Sequence, residues 1–222
     1  MQTVAAAPAA PSNEPWPRDI AAVLARCPVR RYRRGEVIIT VGSPDTTMHF
    51  VDRGRIALTV ADEQHGARTR AIMGPGSLLG TMALLRPGTL RVSTAVAFDA
   101  VETFALSRGQ FEQLRRLHPE LERFVYDHVA GVIAQLDRQV LDATTLRAEQ
   151  RVLRQLVALV PAFRSGNRSI VRLRQEDLAS MSGTTRPTVN QVLRAVEADG
   201  LIRLGRNRID VLDLDALAER SR

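Results

Sequence analysis

QEDLASMSGTTRPTVNQVLRAVEADGLIRL, Gln175 to Leu204, has the texture of helix, tight turn, helix and strand in succession. Gly183 falls where a left-handed backbone would close the turn between two helices. Thr185 is placed to cap the second helix, and Pro187 lies in its first turn, where a missing N–H costs little. The pattern predicts helices over 175–181 and 186–198. Leu178 faces inward from the first, and Ala179 is small enough for the second to cross closely. At about 100° per residue, Val189, Val192, Leu193 and Val196 share one arc of the second helix. Arg186, Asn190, Gln191 and Arg194 share the opposite arc.

That polar arc has the chemistry to read duplex DNA. Arginine can donate two hydrogen bonds to guanine O6 and N7, and asparagine or glutamine can match adenine. A helix N-terminus also favours phosphate. Thr184, Thr185 and Thr188 can bond phosphate oxygens or touch a thymine methyl, and Pro187 stands among these groups. The following LIRLGRNRIDVL reads as a hairpin turning at Gly205–Asn207, with Arg203, Arg206 and Arg208 suited to backbone phosphates. A competing reading makes the helix-turn-helix a protein-contact module on a signalling scaffold, but it leaves the arginine-bearing face unexplained.

Composition points the same way. Among 222 residues all 31 basic side chains are arginine, and the net charge is +7. The segment Arg147–Arg222 holds 14 arginines against 9 acids, net +5, whereas everything before it is net +2. A basic C-terminal third suggests a polyanion partner. No apolar run approaches the ~18 residues of a membrane span. The first 17 residues lack a secretory pattern and read as a disordered Ala/Pro tail, so a cytoplasmic location is expected. The sequence shows no Gly-rich phosphate loop, metal cluster or nucleophile–histidine pairing in a recognisable context, so no enzyme is expected. Cys27, the single cysteine, reads as a small buried hydrophobe.

Further upstream, short apolar runs from Tyr32 to Leu106 alternate with turn signals and indicate an antiparallel sandwich or barrel. A lead-in helix is expected over RDIAAVLARC. Ser107 can cap a short helix, and Pro119 can start a long one. On the long helix Val125, Val129, Val132, Leu136 and Val140 form a seam, which either packs on its own domain or pairs with a second copy across a two-fold axis. AEQRVLRQLVALV reads as an amphipathic helix closed by Pro161, NRSIVRL as a short strand, and DLDALAERS as a terminal helix capped by Asp213.

The segment 175–204 resembles the winged helix-turn-helix of the cyclic-AMP receptor protein/Fnr (Crp/Fnr) transcription regulators. RRGEVIITVGSPDTTMHFVDRGRIALTV resembles the start of their β-roll, with matching glycines at 35, 42 and 54, and IMGPGSLLGTMALLRPGTLRVSTAVAF resembles their phosphate-binding region. The likeness spans about Arg26 to Leu217. It implies an α+β chain in four parts: a tail (1–17), a cyclic-nucleotide-binding-like β-roll or jelly roll (18–117), a dimerisation helix (118–146) and a winged helix-turn-helix (147–222). It also implies homodimers on two-fold-related DNA that act through RNA polymerase.

The effector pocket departs from the resemblance. Gly80 and Arg91 keep their places, but Thr81 stands where the ribose-binding glutamate belongs and Val92 where the phosphate-binding serine belongs. Leu136 and Asp137 replace hydroxyl side chains that contact adenine. Each unmatched polar contact costs about 1–3 kcal/mol, so cyclic AMP is not the expected effector. Arg91 is left as either an anion ligand or a solvated strand residue. One cysteine excludes an Fnr-type iron–sulfur cluster, and His49, His65, His118 and His128 show no short ligand spacing. Haem held by Cys27 or a histidine stays open, because axial ligation can use one side chain. On the reading helix, Pro187 occupies a position where many relatives have a cytosine-reading glutamate, and Gln191 replaces a second arginine.

Overall fold

A computed structural model describes residues 15–222 except 45, 63–65, 87 and 166–167. Helix α1 (Arg18–Leu24) leads into strands β1 (Val29–Tyr32), β2 (Val37–Ile39), β3 (Thr47–Arg53), β4 (Ile56–Asp62), β5 (Gly66–Met73) and β6 (Leu78–Leu79). A short helix α2 (Met82–Leu85) precedes β7 (Thr94–Ala97) and β8 (Val101–Ser107). Helices α3 (Arg108–Leu117), α4 (Pro119–Thr145) and α5 (Ala148–Phe163) follow, then β9 (Arg164–Ser165) and β10 (Arg168–Val171). The chain ends with α6 (Gln175–Met181), α7 (Arg186–Ala198), β11 (Ile202–Gly205), β12 (Arg208–Val211) and α8 (Leu214–Arg220).

The strands form three four-stranded sheets, ordered β1-β8-β3-β6, β2-β7-β4-β5 and β11-β12-β10-β9. The first two are the β-roll, and the third is the wing sheet. Chain contacts divide the protein into two compact units: the described residues up to Ile56 with Gly74–Asp137, and Ala57–Met73 with Arg138–Arg222. This division differs from the boundaries expected from sequence. The β4–β5 segment groups with the C-terminal part, where Thr69 Oγ1 donates a 2.6 Å hydrogen bond to the buried carboxylate of Asp177 on α6.

In the first unit, pleat alternation assigns the two sides of β3. Met48 and Phe50 join Leu78 and Leu106 in a core closed by Ile20, Val23 and Leu24 of α1, Phe111 of α3, and Leu121 and Val125 of α4. Ser107 caps α3 through a reciprocal box with Gln110, so the chain passes from strand to helix without leaving those first donors unpaired. Cys27 is buried in the same core, as expected.

Two sequence readings need correction here. Trp16, placed inside the tail, is only 5% exposed. Its indole Nε1 donates to Asp52 Oδ1 at 3.0 Å, and its ring meets Phe50 and Phe124 edge-on at 5.4 and 6.0 Å. Burial of one large aromatic with its N–H satisfied outweighs the local Ala/Pro composition. Residues 1–14 of the expected tail lie outside the described residues. In the second unit, α5 runs on to Phe163 instead of stopping at Pro161. Phe163 is 3% exposed, so its burial favours the last turn despite the proline's missing N–H.

The α4 seam divides. Val125 is fully buried in its own core, whereas Val132, Leu136 and Val140 are 42%, 39% and 66% exposed. Ile133 and Leu141 join them at 56% and 59%. The first half of the helix therefore packs on its own domain, as one of the two sequence alternatives has it, and the second half presents an uncovered apolar stripe.

Candidate nucleic-acid interface and effector pocket

The second unit buries Val152, Leu153, Leu156, Leu159 and Val160 of α5 with Leu178 and Ala179 of α6 and Val189, Val192, Leu193 and Val196 of α7. The apolar arc expected for α7 is thus its inner face. Gly183 adopts φ +60° in the turn, and Thr184 N–H donates back to Ala179 O at 3.0 Å. Thr185 caps α7 by accepting from Thr188 N–H, and the two threonine hydroxyls lie 2.9 Å apart. Thr185 is exposed, while Thr184 and Thr188 are half-buried.

A residue that sequence reasoning missed fixes this turn. Arg151 of α5 donates from Nε to Ser182 O and from Nη2 to Gly183 O, both at 3.1 Å, and from Nη1 to Leu146 O at 2.8 Å. One guanidinium thereby satisfies three carbonyls around the turn and the start of α5. The only trace in sequence is one of two arginines on an amphipathic helix, which gives no hint of where its fork points.

On the outer face Arg186, Pro187, Asn190 and Gln191 are exposed and line one open concavity. Arg186 Nε lies 3.1 Å from Glu176 Oε1 of α6, and Asn190 Nδ2 donates to Gln175 Oε1 at 3.1 Å. Arg194 Nη1 meets Glu197 Oε2 at 3.1 Å, and Glu197 Oε1 accepts Leu204 N–H at 2.7 Å, joining α7 to the wing. In the wing, Gly205 pairs with Arg208 across a turn in which Asn207 takes φ +52°. Arg203, Arg206 and Arg208 are exposed, and Arg208 is held by both carboxylate oxygens of Asp210 at 2.5 and 2.9 Å. The structure therefore brings α7 and wing residues into one unit, with Arg208 already carrying an intramolecular partner.

In the first unit Arg91 is not a solvated strand residue, which removes one of its two sequence readings. It is 9% exposed, and Nη2 donates to Thr47 O at 2.5 Å. A Cβ built on Gly80, which has φ +78°, would collide with this guanidinium, so only glycine fits there. Thr81 sits in helical conformation before α2. Val92 is 79% and Leu136 39% exposed, and Asp137 is exposed. The buried arginine and its glycine are together, but the flanking positions offer no matching buried polar groups.

His49 occupies the side of β3 opposite Met48 and Phe50. It is 5% exposed, its Nδ1 lies 3.1 Å from Thr103 Oγ1, and Tyr32 meets its ring edge-on. Burial, then the charges of Arg91 and Arg30, lowers its pKa from 6.5 to about 4. His128 is lowered in the same direction by burial. For these groups the unfolded chain takes up a proton that the folded chain refuses, so stability falls as pH drops below about 6.5. For His49 the loss levels off near pH 4 at about 3 kcal/mol. Urea unfolding between pH 7 and 4 is expected to show this decline, and His49→Gln to flatten it. An unchanged slope in the variant would refute the assignment. His65 lies outside the described residues.

Residues 29–118 match the cyclic nucleotide-binding domain model, and residues 150–220 match the Crp-like helix-turn-helix domain model. The cyclic AMP receptor protein of Thermus thermophilus is 31% identical over 204 residues, covering 91% of this chain and 92% of that one. The transcriptional regulator SdrP of the same organism is 27% identical over 85% of this chain and 91% of its own length. The crystal structure of a Crp/Fnr-family transcriptional regulator from Thermus thermophilus superposes with a TM-score of 0.73 at 26% identity, covering 87% of this chain and 98% of that one. With its β-roll, long helix and winged helix-turn-helix, the chain belongs to the Crp/Fnr family of transcriptional regulators.

Proposed function

We propose that the protein is a homodimeric regulator that reads a two-fold-related duplex with α7 and grips its phosphates with the wing. The observation that carries this reading is the outer face of α7, where Arg186, Asn190, Gln191 and Arg194 stand exposed above a fully apolar inner face. Arg186 is the guanine reader, and Asn190 and Gln191 read adenine. Arg194, Thr184, Thr185, Thr188, Arg203, Arg206 and Arg208 serve the phosphates, with Pro187 making van der Waals contact. The uncovered stripe Val132, Ile133, Leu136, Val140 and Leu141 pairs two copies. A regulator of this kind works beside cytoplasmic DNA and contacts RNA polymerase.

Cyclic AMP is not the gate. Several relatives are named for cyclic AMP, but here Thr81 and Val92 cannot supply a ribose-binding carboxylate and a phosphate-binding hydroxyl. Arg91 already donates to the Thr47 carbonyl. With several contacts each worth about 1–3 kcal/mol missing, useful affinity is lost. The full chain is expected to select an inverted repeat from a randomised duplex pool, with affinity falling steeply as salt rises and unaffected by added cyclic AMP. Retention of every sequence alike would overturn the reading function. Micromolar cyclic AMP binding in calorimetry would overturn the effector assignment.

A further inference from the structure

The recognition face is not the work of α7 alone. Resting on the reading function proposed above, we infer that Gln175 and Glu176 of α6 are positioning residues that select which hydrogen-bonding edge Asn190 and Arg186 offer to a base. Neither α6 residue is needed to build the core: Glu176 is half-exposed, and both contacts lie on the open side of the helix pair.

The chemistry follows from which atoms are engaged. A guanidinium can meet the two guanine acceptors either through Nε with one Nη or through the two Nη groups together. Glu176 Oε1 takes Nε of Arg186 at 3.1 Å. The side-on edge is thereby occupied, and the end-on pair of Nη groups is the one presented outward. For Asn190, Nδ2 gives one hydrogen to Gln175 Oε1 at 3.1 Å. The amide keeps its other N–H and its carbonyl, the donor–acceptor pair that matches adenine N7 and N6. Consecutive residues of α6 thus fix two readers one helical turn apart on α7. An exposed ion pair adds little stability, so the effect belongs to recognition and not to folding.

Glu176 also carries a negative charge on a surface meant for a polyanion. This gives its two roles opposite signs. Orienting Arg186 favours the cognate base, whereas the charge itself weakens binding to any DNA.

The test uses the full chain, the duplex selected by the native protein and a scrambled duplex of equal length. Glu176→Ala is expected to bind the selected duplex about two- to fivefold more weakly, the span of one exposed ion pair. The same variant should bind the scrambled duplex more tightly, with a salt dependence steeper by about 0.9 per removed charge. Base preference relaxes at the Arg186 position only, and Glu176→Gln, which keeps the acceptor, restores that preference. Gln175→Ala relaxes the adenine position, and Gln175→Glu retains it. If Glu176→Ala strengthens binding to both duplexes in parallel with an unchanged base profile, the carboxylate is background charge and the inference fails. An Arg186→Ala arm separates this from failure of the reading itself, because a uniform loss in that arm makes Arg186 a phosphate contact whatever Glu176 does.

Discussion

An Ile133→Asp, Leu136→Asp double variant is expected to sediment as a monomer, and the native chain, on the pairing proposed above, as a dimer. Both side chains lie on α4 at 56% and 39% exposure, so aspartate meets solvent in the isolated chain and folding proceeds. On the proposed two-fold pair each substitution occurs twice. Because each side chain is about half exposed before pairing, losing that apolar burial removes about 3–6 kcal/mol, at about 1.5–3 kcal/mol per fully buried side chain, before any cost of burying carboxylates. This carries a nanomolar dimer to about the micromolar range. Binding to the full inverted repeat should fall about 10²–10⁴-fold, because the second half-site no longer benefits from tethering. Affinity for an isolated half-site should not change. A variant that still sediments as a dimer would locate the pairing surface elsewhere.

Arg186→Ala is expected to cost about 1–3 kcal/mol per half-site and to relax preference at one base pair. The side chain is 67% exposed at the first position of α7, so its removal leaves the helix-turn-helix core intact. Because the loss recurs in each half of a two-fold site, the effect on the full repeat is about the square of that on one half. Scoring every single-base variant of the selected duplex separates the outcomes. A dip confined to one position identifies a base reader, whereas equal loss at all positions identifies a phosphate contact.

The helix-turn-helix was legible because its signals are local. Gly183, Thr185 and Pro187 each impose a backbone or hydrogen-bond requirement that neighbours a few residues away must satisfy, and the helices at 175–181 and 186–198 follow. Asp213 capped α8 for the same reason, accepting Ala216 N–H at 2.9 Å. What sequence could not carry was set by distant partners. Pro161 looks like a terminator until Phe163 finds its place in the core. Trp16 sits in a stretch whose composition says tail, yet its partners are Asp52, Phe50 and Phe124.

The candidate site divides along the same line. The identity of the outward residues on α7 could be read from a 100° rotation, about one residue at a time. Their hydrogen-bond partners could not: nothing in the order of residues says that Glu176 meets Arg186, or that Arg151 closes the turn from another helix. Arg91 shows the limit most plainly. As a charged residue between Leu90 and Val92 it reads equally well as solvated or ligating, and only its burial against Thr47 and Gly80 separates the two.

Trp16 is the only tryptophan in the chain. Its indole is walled in by two phenylalanine rings, one from β3 and one from α4, with a carboxylate on its N–H. The protein therefore contains its own optical probe. Intrinsic fluorescence, excited selectively at the red edge of aromatic absorption, arises from one place where β3 meets the long helix α4. Any small molecule that repacks that junction would announce itself as a change in emission colour or intensity, without a label and without knowledge of the ligand's identity.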